Sequence, residues 1–267
     1  MSTLANIKII KTFLNKYDIS PSKKFGQNYL IDEYKLNSIL SNINITKNDI
    51  VLEIGPGMGI FTYEFCKYAK KVYLIEIDQS LKEVLTKVLE NYSNYEIFWE
   101  DATKFDYSKI KEQKIKVFSS LPYNSAKKII MNLLESTLDW TELHFILQKE
   151  VVESYISTPP KADFLANYIR LFGKPRIEFV LSPKSFYPEP KVYSAYMTVV
   201  RDDEYKDYNR RLLASYIKYA FSEPRKKVKN NLRKIILDLR HIPSEILDKR
   251  PSELMLQDWV RIFKGSI

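Results

Sequence analysis

The 267-residue sequence contains one cysteine, Cys66. A lone thiol cannot close an internal disulfide, and it excludes CxxC redox or metal motifs. Histidine is almost as scarce: His144 and His241 are the only two, too few for a multi-histidine zinc site, so no metal is expected. No stretch approaches the ~18 consecutive apolar residues of a membrane span. Residues 1–16 scatter Lys8, Lys11 and Lys16 among their apolar positions, unlike the apolar core of a secretory signal. These absences lead us to expect a cytoplasmic protein with no membrane partner. Hydrophobic residues make up 45% of the chain, enough for a sizeable core. The length suits one large or two ordinary domains.

Basic residues exceed acidic ones, 42 to 33, for a net charge of +9. The excess is uneven. Residues 202–267 hold 15 basic and 10 acidic residues, more than half of the surplus in a quarter of the length. Between positions 224 and 234 stand Arg225, Lys226, Lys227, Lys229, Arg233 and Lys234 with no acid among them. Such a run is either a solvated helix face or a set of phosphate contacts.

Hydrophobic periodicity gives an alternating map. Strands are expected at 49–54 (DIVLEI), 71–77 (KVYLIEI), 95–99, 115–119, 142–147, 176–181 and 192–200. Helices are expected at 59–69, 79–91, 125–134, 149–157 and 163–172. Alternation of this kind implies a parallel sheet covered by helices on both faces. The last two strands lack a full helix between them and suggest an antiparallel addition at one edge. Beyond the acidic Asp202, Asp203 and Glu204 no strand pattern survives. Helices are expected at 208–221, 226–237 and 252–263, the last with Ser252 as N-cap. The expected division is therefore an α/β domain over 1–203 and an all-helical one over 204–267.

The first strand runs into Gly55-Pro56-Gly57-Met58-Gly59. In an open α/β sheet, ligands sit beyond the carboxyl ends of the strands. Glycines there admit a ligand close to the backbone, and the following helix presents free N–H groups. Glu76 closes the second strand, where a carboxylate can accept from the two hydroxyls of a ribose. Two cofactors fit this much. A dinucleotide fold would want G-x-G-x-x-G, whereas the spacing here is G-x-G-x-G with Pro56 inside. Proline lacks the N–H that a pyrophosphate would use. S-adenosylmethionine carries no phosphate and is unaffected. A plain structural turn is the third reading. Asp101, after the third strand, stands where a carboxylate can accept from an adenine amine; it can equally cap a helix.

The fourth strand ends in Ser120-Leu121-Pro122-Tyr123-Asn124. Pro122 fixes a rigid loop at the ligand edge, directing the Leu121 carbonyl and the Tyr123 ring into the crevice. An amine conjugated to an aromatic ring is a poor nucleophile. Acceptors that hold its two hydrogens draw it toward tetrahedral geometry and free its lone pair for attack on a sulfonium methyl. An aromatic face stacks the extruded base.

Taken with these motifs, the chain resembles the KsgA/Dim-type small-subunit ribosomal RNA adenine dimethyltransferases, relatives of the erythromycin-resistance methylases. The resemblance spans nearly the whole sequence. It rests on residues 24–30 (KFGQNYL), 53–57 (EIGPG), 121–124 (LPYN), 147–151 (LQKEV), 186–192 (FYPEPKV), 220–228 (AFSEPRKKV), Asn231-Leu232 and 250–254 (RPSEL). It implies a Rossmann-like S-adenosylmethionine-dependent methyltransferase sheet with a small helical C-terminal domain. It also implies a monomer that puts two methyl groups on each target adenosine amine near the 3′ end of small-subunit rRNA, acting on the immature subunit and releasing S-adenosylhomocysteine. By the same resemblance, Asn28 and Leu30 contact the methionine end of the donor, and Gly55 and Gly57 pack against it. Glu76 with Ile77 holds the ribose, and Asp101 with Ala102 the adenine. Ser120, Leu121, Pro122 and Tyr123 form the catalytic turn, and Phe186 closes the other face of the target base. Arg225, Lys226, Lys227, Lys229 and Arg233 grip RNA.

Two positions depart from that family's pattern. Asparagine stands before Leu-Pro-Tyr in the family, and here it is Ser120, with a shorter hydroxyl. A slower enzyme follows from this, or else an assembly factor of the same fold that binds RNA and barely methylates. After Lys161-Ala162, Asp163-Phe164-Leu165 replaces an aromatic and a glycine. A dinucleotide oxidoreductase is opposed by Pro56 and the Leu-Pro-Tyr turn. Cytosine C5 methylation needs a cysteine nucleophile at the active edge, whereas Cys66 falls in a helix and reads as core. A cysteine-held iron–sulfur cluster for radical chemistry is excluded as well. His144 reads as a satisfied core residue and Glu150 as a helix-start residue.

Overall fold

Most of the strand and helix patterns fold as read, with short elements added at the N-terminus and elsewhere. A computed structural model describes residues 4–22, 25–122 and 124–266. In chain order its elements are α1 (Ile7–Lys16), β1 (Tyr29–Leu30), α2 (Glu33–Ile43), β2 (Ile50–Ile54), α3 (Ile60–Tyr68), β3 (Lys71–Ile75), α4 (Lys82–Val88), β4 (Tyr95–Phe98), β5 (Ile115–Ser120) and α5 (Ala126–Glu135). They continue as β6 (Trp140–Gln148), α6 (Lys149–Tyr155), α7 (Phe164–Arg170), β7 (Gly173–Leu181), β8 (Phe186–Tyr187), β9 (Ser194–Arg201), α8 (Arg210–Ala220), α9 (Val228–Leu232), α10 (Ser244–Leu247) and α11 (Leu256–Lys264).

The main sheet has the order β4-β3-β2-β5-β6-β9-β7. Strands β4 to β6 pair in parallel, as buried Val, Ile and Leu runs favour. Only β9 reverses, lying antiparallel to β6 on one side and to β7 on the other. Lys149 N, just past β6, bonds Tyr193 O, just before β9, and Asp202 N, just past β9, bonds Phe172 O, just before β7. The expected antiparallel edge is therefore present. Strand order changes direction between β2 and β5, which opens a crevice at their carboxyl ends. Phe118 on β5 packs against Phe61 and Phe65 of α3, at centroid distances of 4.2 and 5.4 Å, and fixes that helix behind the crevice.

The chain divides into two compact units, Met1–Lys149 with Glu178–Thr198, and Glu150–Ile177 with Val199–Ile267. In the second, Trp259 is fully buried beside Phe221, and Phe221 meets Phe164 of α7. Asp163 accepts from Leu165 N and so caps α7, which gives the departure after Ala162 a structural role.

Five elements had no sequence expectation: α1, α2, α10 and the two-residue strands β1 and β8, which pair antiparallel. Two expectations fail. The helix expected over 226–237 is only Val228–Leu232. The Leu232 carbonyl takes both Ile235 N and Ile236 N, and the chain turns there. Ser252 is not an N-cap. It lies in a separate 3-10 turn closed by Glu253 on Arg250 N, and the helix begins after Met255, whose N–H bonds the Asp258 carboxylate.

One feature of β2 runs against ordinary packing. Glu53 is 2% exposed, and its carboxyl accepts from the Thr62 hydroxyl at 2.6 Å. Among the described residues it has no cationic partner. Burial, with a smaller push from Glu76, raises it to about 8. A carboxyl raised in the folded state leaves that state protonated while the unfolded chain has already ionised. Stability is then full below the ordinary glutamate range and falls as pH climbs toward 8. Glu53→Gln keeps the acceptor for Thr62 and removes the titration. Urea unfolding should find the variant's advantage over wild type larger at pH 8.5 than at pH 5, by at least about 2 kcal/mol. An advantage independent of pH would mean that Glu53 is ionised in the folded protein.

Candidate functional site

The crevice at the strand ends deepens into a cavity of about 480 Å³, within the range of a cofactor site. Its wall is drawn from the ends of β2, β3, β5 and β6, the turn after β4, and the N-terminal segment through β1. The glycine loop forms its floor. Gly55, Gly57 and Gly59 adopt φ of +73°, +59° and +83°. At Gly59 the positive φ favours glycine, and an added Cβ would also lie 2.8 Å from Leu85 Cδ1, which would have to shift.

Glu76 organises the loop. It is 5% exposed; Gly57 N donates to its Oε2 at 3.1 Å and Asp78 N to its Oε1 at 2.8 Å. Burial raises its pKa and these N–H groups pull against that rise. Each oxygen keeps a second lone pair for a ligand hydroxyl. Asp78 is buried next to it. Tyr29 packs its ring over Gly57, and burial, with the Asp78 and Glu76 charges, raises its phenol pKa.

The sequence-derived residues converge here. Asn28, Leu30, Gly55, Gly57, Glu76, Ile77, Asp101, Ala102, Ser120, Leu121, Pro122 and Phe186 all line the cavity. Tyr123 lies outside the described residues. Asp101 caps no helix; its Oδ1 accepts from Thr103 N at 2.8 Å in a tight turn, and the residue lines the cavity. Ile77 is exposed at the rim, an apolar edge fit for a flat ring. The Pro122 carbonyl accepts from Ser125 N and Ala126 N and starts α5 directly from the turn. Phe186 is held because β8 pairs with β1, setting Leu30 opposite it.

Sequence reasoning gave no role to several wall residues. Glu53, Gln27 and Lys128 are among them. Glu53 and Gln27 stood inside quoted motifs, while Lys128 carried no signal beyond helical spacing. His144 is buried, with Nδ1 2.7 Å from the Tyr196 hydroxyl and Nε2 3.1 Å from Glu142, as a satisfied core residue should be. Cys66 is buried and its thiol is pushed up to about 12, which suits core and not nucleophile. Glu150 sits in the first turn of α6. Among the described residues no three metal-ligating side chains cluster, and no helix is long and apolar enough to cross a membrane.

The basic run lies in the second unit, and much of it is paired. Glu223 binds Lys226 and Lys234, and Asp248 binds Lys227 at 3.2 Å and Lys229 at 2.7 Å. Arg225 and Arg233 are exposed and carry no ion pair among the described residues.

The site's residues suit S-adenosylmethionine. The buried Glu76 carboxylate offers free lone pairs to hydroxyls, Glu53 is a buried carboxyl with no cation, and Pro56 takes an N–H from where a pyrophosphate would bind. A family model described as ribosomal RNA adenine dimethylase matches residues 20–250. A ribosomal RNA small subunit methyltransferase A from Clostridium botulinum is 35% identical over 234 residues, 85% of each chain. One from Lachnoclostridium phytofermentans is 36% identical over 242 residues, 87% of this chain and 83% of its own. A dimethyladenosine transferase from Plasmodium falciparum superposes with a TM-score of 0.76 at 23% identity, covering 89% of this chain and 98% of its own, a likeness of fold. With its Rossmann-like sheet, its glycine loop and its Leu-Pro-Tyr turn, the chain belongs to the ribosomal RNA adenine dimethylases, S-adenosylmethionine-dependent methyltransferases of rRNA.

Proposed function

We propose that this protein dimethylates adenosine exocyclic amines near the 3′ end of small-subunit rRNA, acting in the cytoplasm as a monomer on the immature subunit. The observation that carries this reading is a single cavity whose wall joins Glu76 and Asp101 to the Ser120–Leu121–Pro122 turn. When bound, S-adenosylmethionine supplies a sulfonium methyl, and the carbon–sulfur electron pair leaves with S-adenosylhomocysteine. Glu76 accepts the ribose hydroxyls, with Ile77 along the ring edge. Asp101 accepts the donor's adenine amine beside Ala102. Asn28 and Leu30 hold the methionine end, while Gly55 and Gly57 let it lie against the backbone.

The Leu121 carbonyl and the Ser120 hydroxyl accept the two hydrogens of the target amine, turning its lone pair toward the methyl. Pro122 keeps that turn from relaxing. Tyr123 and Phe186 stack the base between them. After transfer the nitrogen is cationic and acidic, so it sheds a proton without a dedicated base. The same turn then accepts the monomethylated amine for the second round. Arg225 and Arg233, with Lys226, Lys227 and Lys229, bind the RNA backbone. Because acids already occupy the lysines, the two arginines contribute most.

Ser120 supports a second reading, an assembly factor that methylates weakly. Incubation with immature small subunits and labelled donor, read by mass spectrometry of the rRNA, separates the two. Dimethyladenosine is expected with wild type. Ser120→Asn should raise the single-turnover rate by about tenfold or more, as a better transition-state acceptor does. An unchanged rate and product distribution would remove Ser120 from the mechanism, and no transfer by either protein would favour the assembly factor.

Arg225→Ala combined with Arg233→Ala should weaken binding to an rRNA fragment and lower the slope of log K against log salt by about 1.5. Fluorescence titration at several salt concentrations measures both. An unchanged slope would place the phosphate contacts elsewhere.

A further inference from the structure

The N-terminal segment crosses the cavity and is tied down at both ends. At one end β1 pairs with β8 for only two residues, Tyr29 with Tyr187 and Leu30 with Phe186. At the other end the tie is a side chain. Gln27 Nε2 donates to Asp78 Oδ2 at 2.6 Å, across 51 positions of sequence. The remaining groups of this amide are engaged too. Oε1 accepts from Ser22 N at 2.8 Å and from the Tyr29 hydroxyl at 3.3 Å, while Gln27 N bonds Ser22 O. With two donors facing Oε1 and a carboxylate facing Nε2, only one orientation of the amide satisfies every partner.

Asp78 is tied in turn. Its Oδ1 accepts from Ser80 N and the Ser80 hydroxyl, and its own N–H bonds Glu76. Glu76 accepts from Gly57 N, and Gly57 carries the Tyr29 ring. The contacts therefore close a ring: Gly57, Glu76, Asp78, Gln27, Tyr29 and back to Gly57. One half of the ring belongs to the cavity floor and the other to the segment above it.

We propose that Gln27 and Asp78 form a latch that holds residues 25–30 across the cavity, so that donor entry and product exit both require this hydrogen bond to break. Gln27 and Asp78 are positioning residues, acting through Asn28, Leu30 and Glu76. The inference rests on the reading that the cavity takes S-adenosylmethionine.

Stopped-flow release of S-adenosylhomocysteine from the full chain tests the latch. Gln27→Leu removes the donor, and Gln27→Glu sets a like charge against Asp78. Each should speed product release by about tenfold or more, the effect of losing a hydrogen bond to a charged acceptor. Gln27→Glu combined with Asp78→Asn rebuilds the bond with its polarity reversed. The introduced amide still offers its oxygen to Ser80 and its nitrogen to the new carboxylate, so release should return to within about threefold of wild type. Affinity for an rRNA fragment should not move in any variant, which separates an open latch from a damaged fold. Should Gln27→Leu fail to fold, the comparison of Gln27→Glu with the double variant decides alone. Wild-type release rates in Gln27→Glu, or no recovery in the double variant, would overturn the latch and leave the cofactor reading standing. Failure of wild type to bind either S-adenosylmethionine or S-adenosylhomocysteine would overturn both.

Discussion

The site depends on one buried carboxylate. Glu76 sits at the end of β3 with a main-chain N–H on each oxygen, from Gly57 and from Asp78. Those bonds hold an ionisable group in a place where burial alone would neutralise it. They also shape the backbone on either side. The glycine loop stays in its left-handed conformation beside one oxygen, and the turn after β3 folds back beside the other. An apolar residue here would leave two N–H groups without acceptors in a buried site, a cost of the order of 1–3 kcal/mol each.

Two further carboxylates lie within the same layer, and the fold treats each differently. Asp78 is buried but bonded by Gln27 and Ser80, while among the described residues Glu53 has only the Thr62 hydroxyl. Among the described residues none of the three pairs with a cation, though burial keeps Glu53 neutral until the pH nears 8. A ligand bearing an ammonium and a sulfonium brings the missing positive charge, whereas a pyrophosphate would add to the repulsion. Charge thus agrees with Pro56 in excluding a dinucleotide.

Much of this was legible in the sequence. Buried parallel strands announce themselves as short Val, Ile and Leu runs, and all seven strands of the main sheet were readable that way. Several wall residues were readable too, because Glu76 and Asp101 follow a strand and Ser120 ends one. What failed was local. Residues 226–237 carry helical periodicity, yet Asn231 turns its amide inward to bond Ala220 O at 2.6 Å, and the helix stops after one more residue. Ser252 has the chemistry of a cap, but Pro251 and Glu253 build their own turn first. The pairing of β1 with β8 was invisible because two-residue strands have no period. The charge run showed its lysines but not their partners, since Glu223 and Asp248 stand outside it in sequence.

That short pairing also dictates the order in which the protein can become competent. Ser185 donates its hydroxyl to Asp32 across 153 positions, and Ile31 N bonds Ser185 O beside it. A chain emerging from its own ribosome has the sheet core well before it has Phe186 and Tyr187. The cavity therefore lacks the wall that β8 provides until more than two thirds of the polypeptide exists, and loop closure of that span is among the slowest contacts the fold must make. Catalytic capacity arrives late in synthesis, long after the scaffold that will bear it.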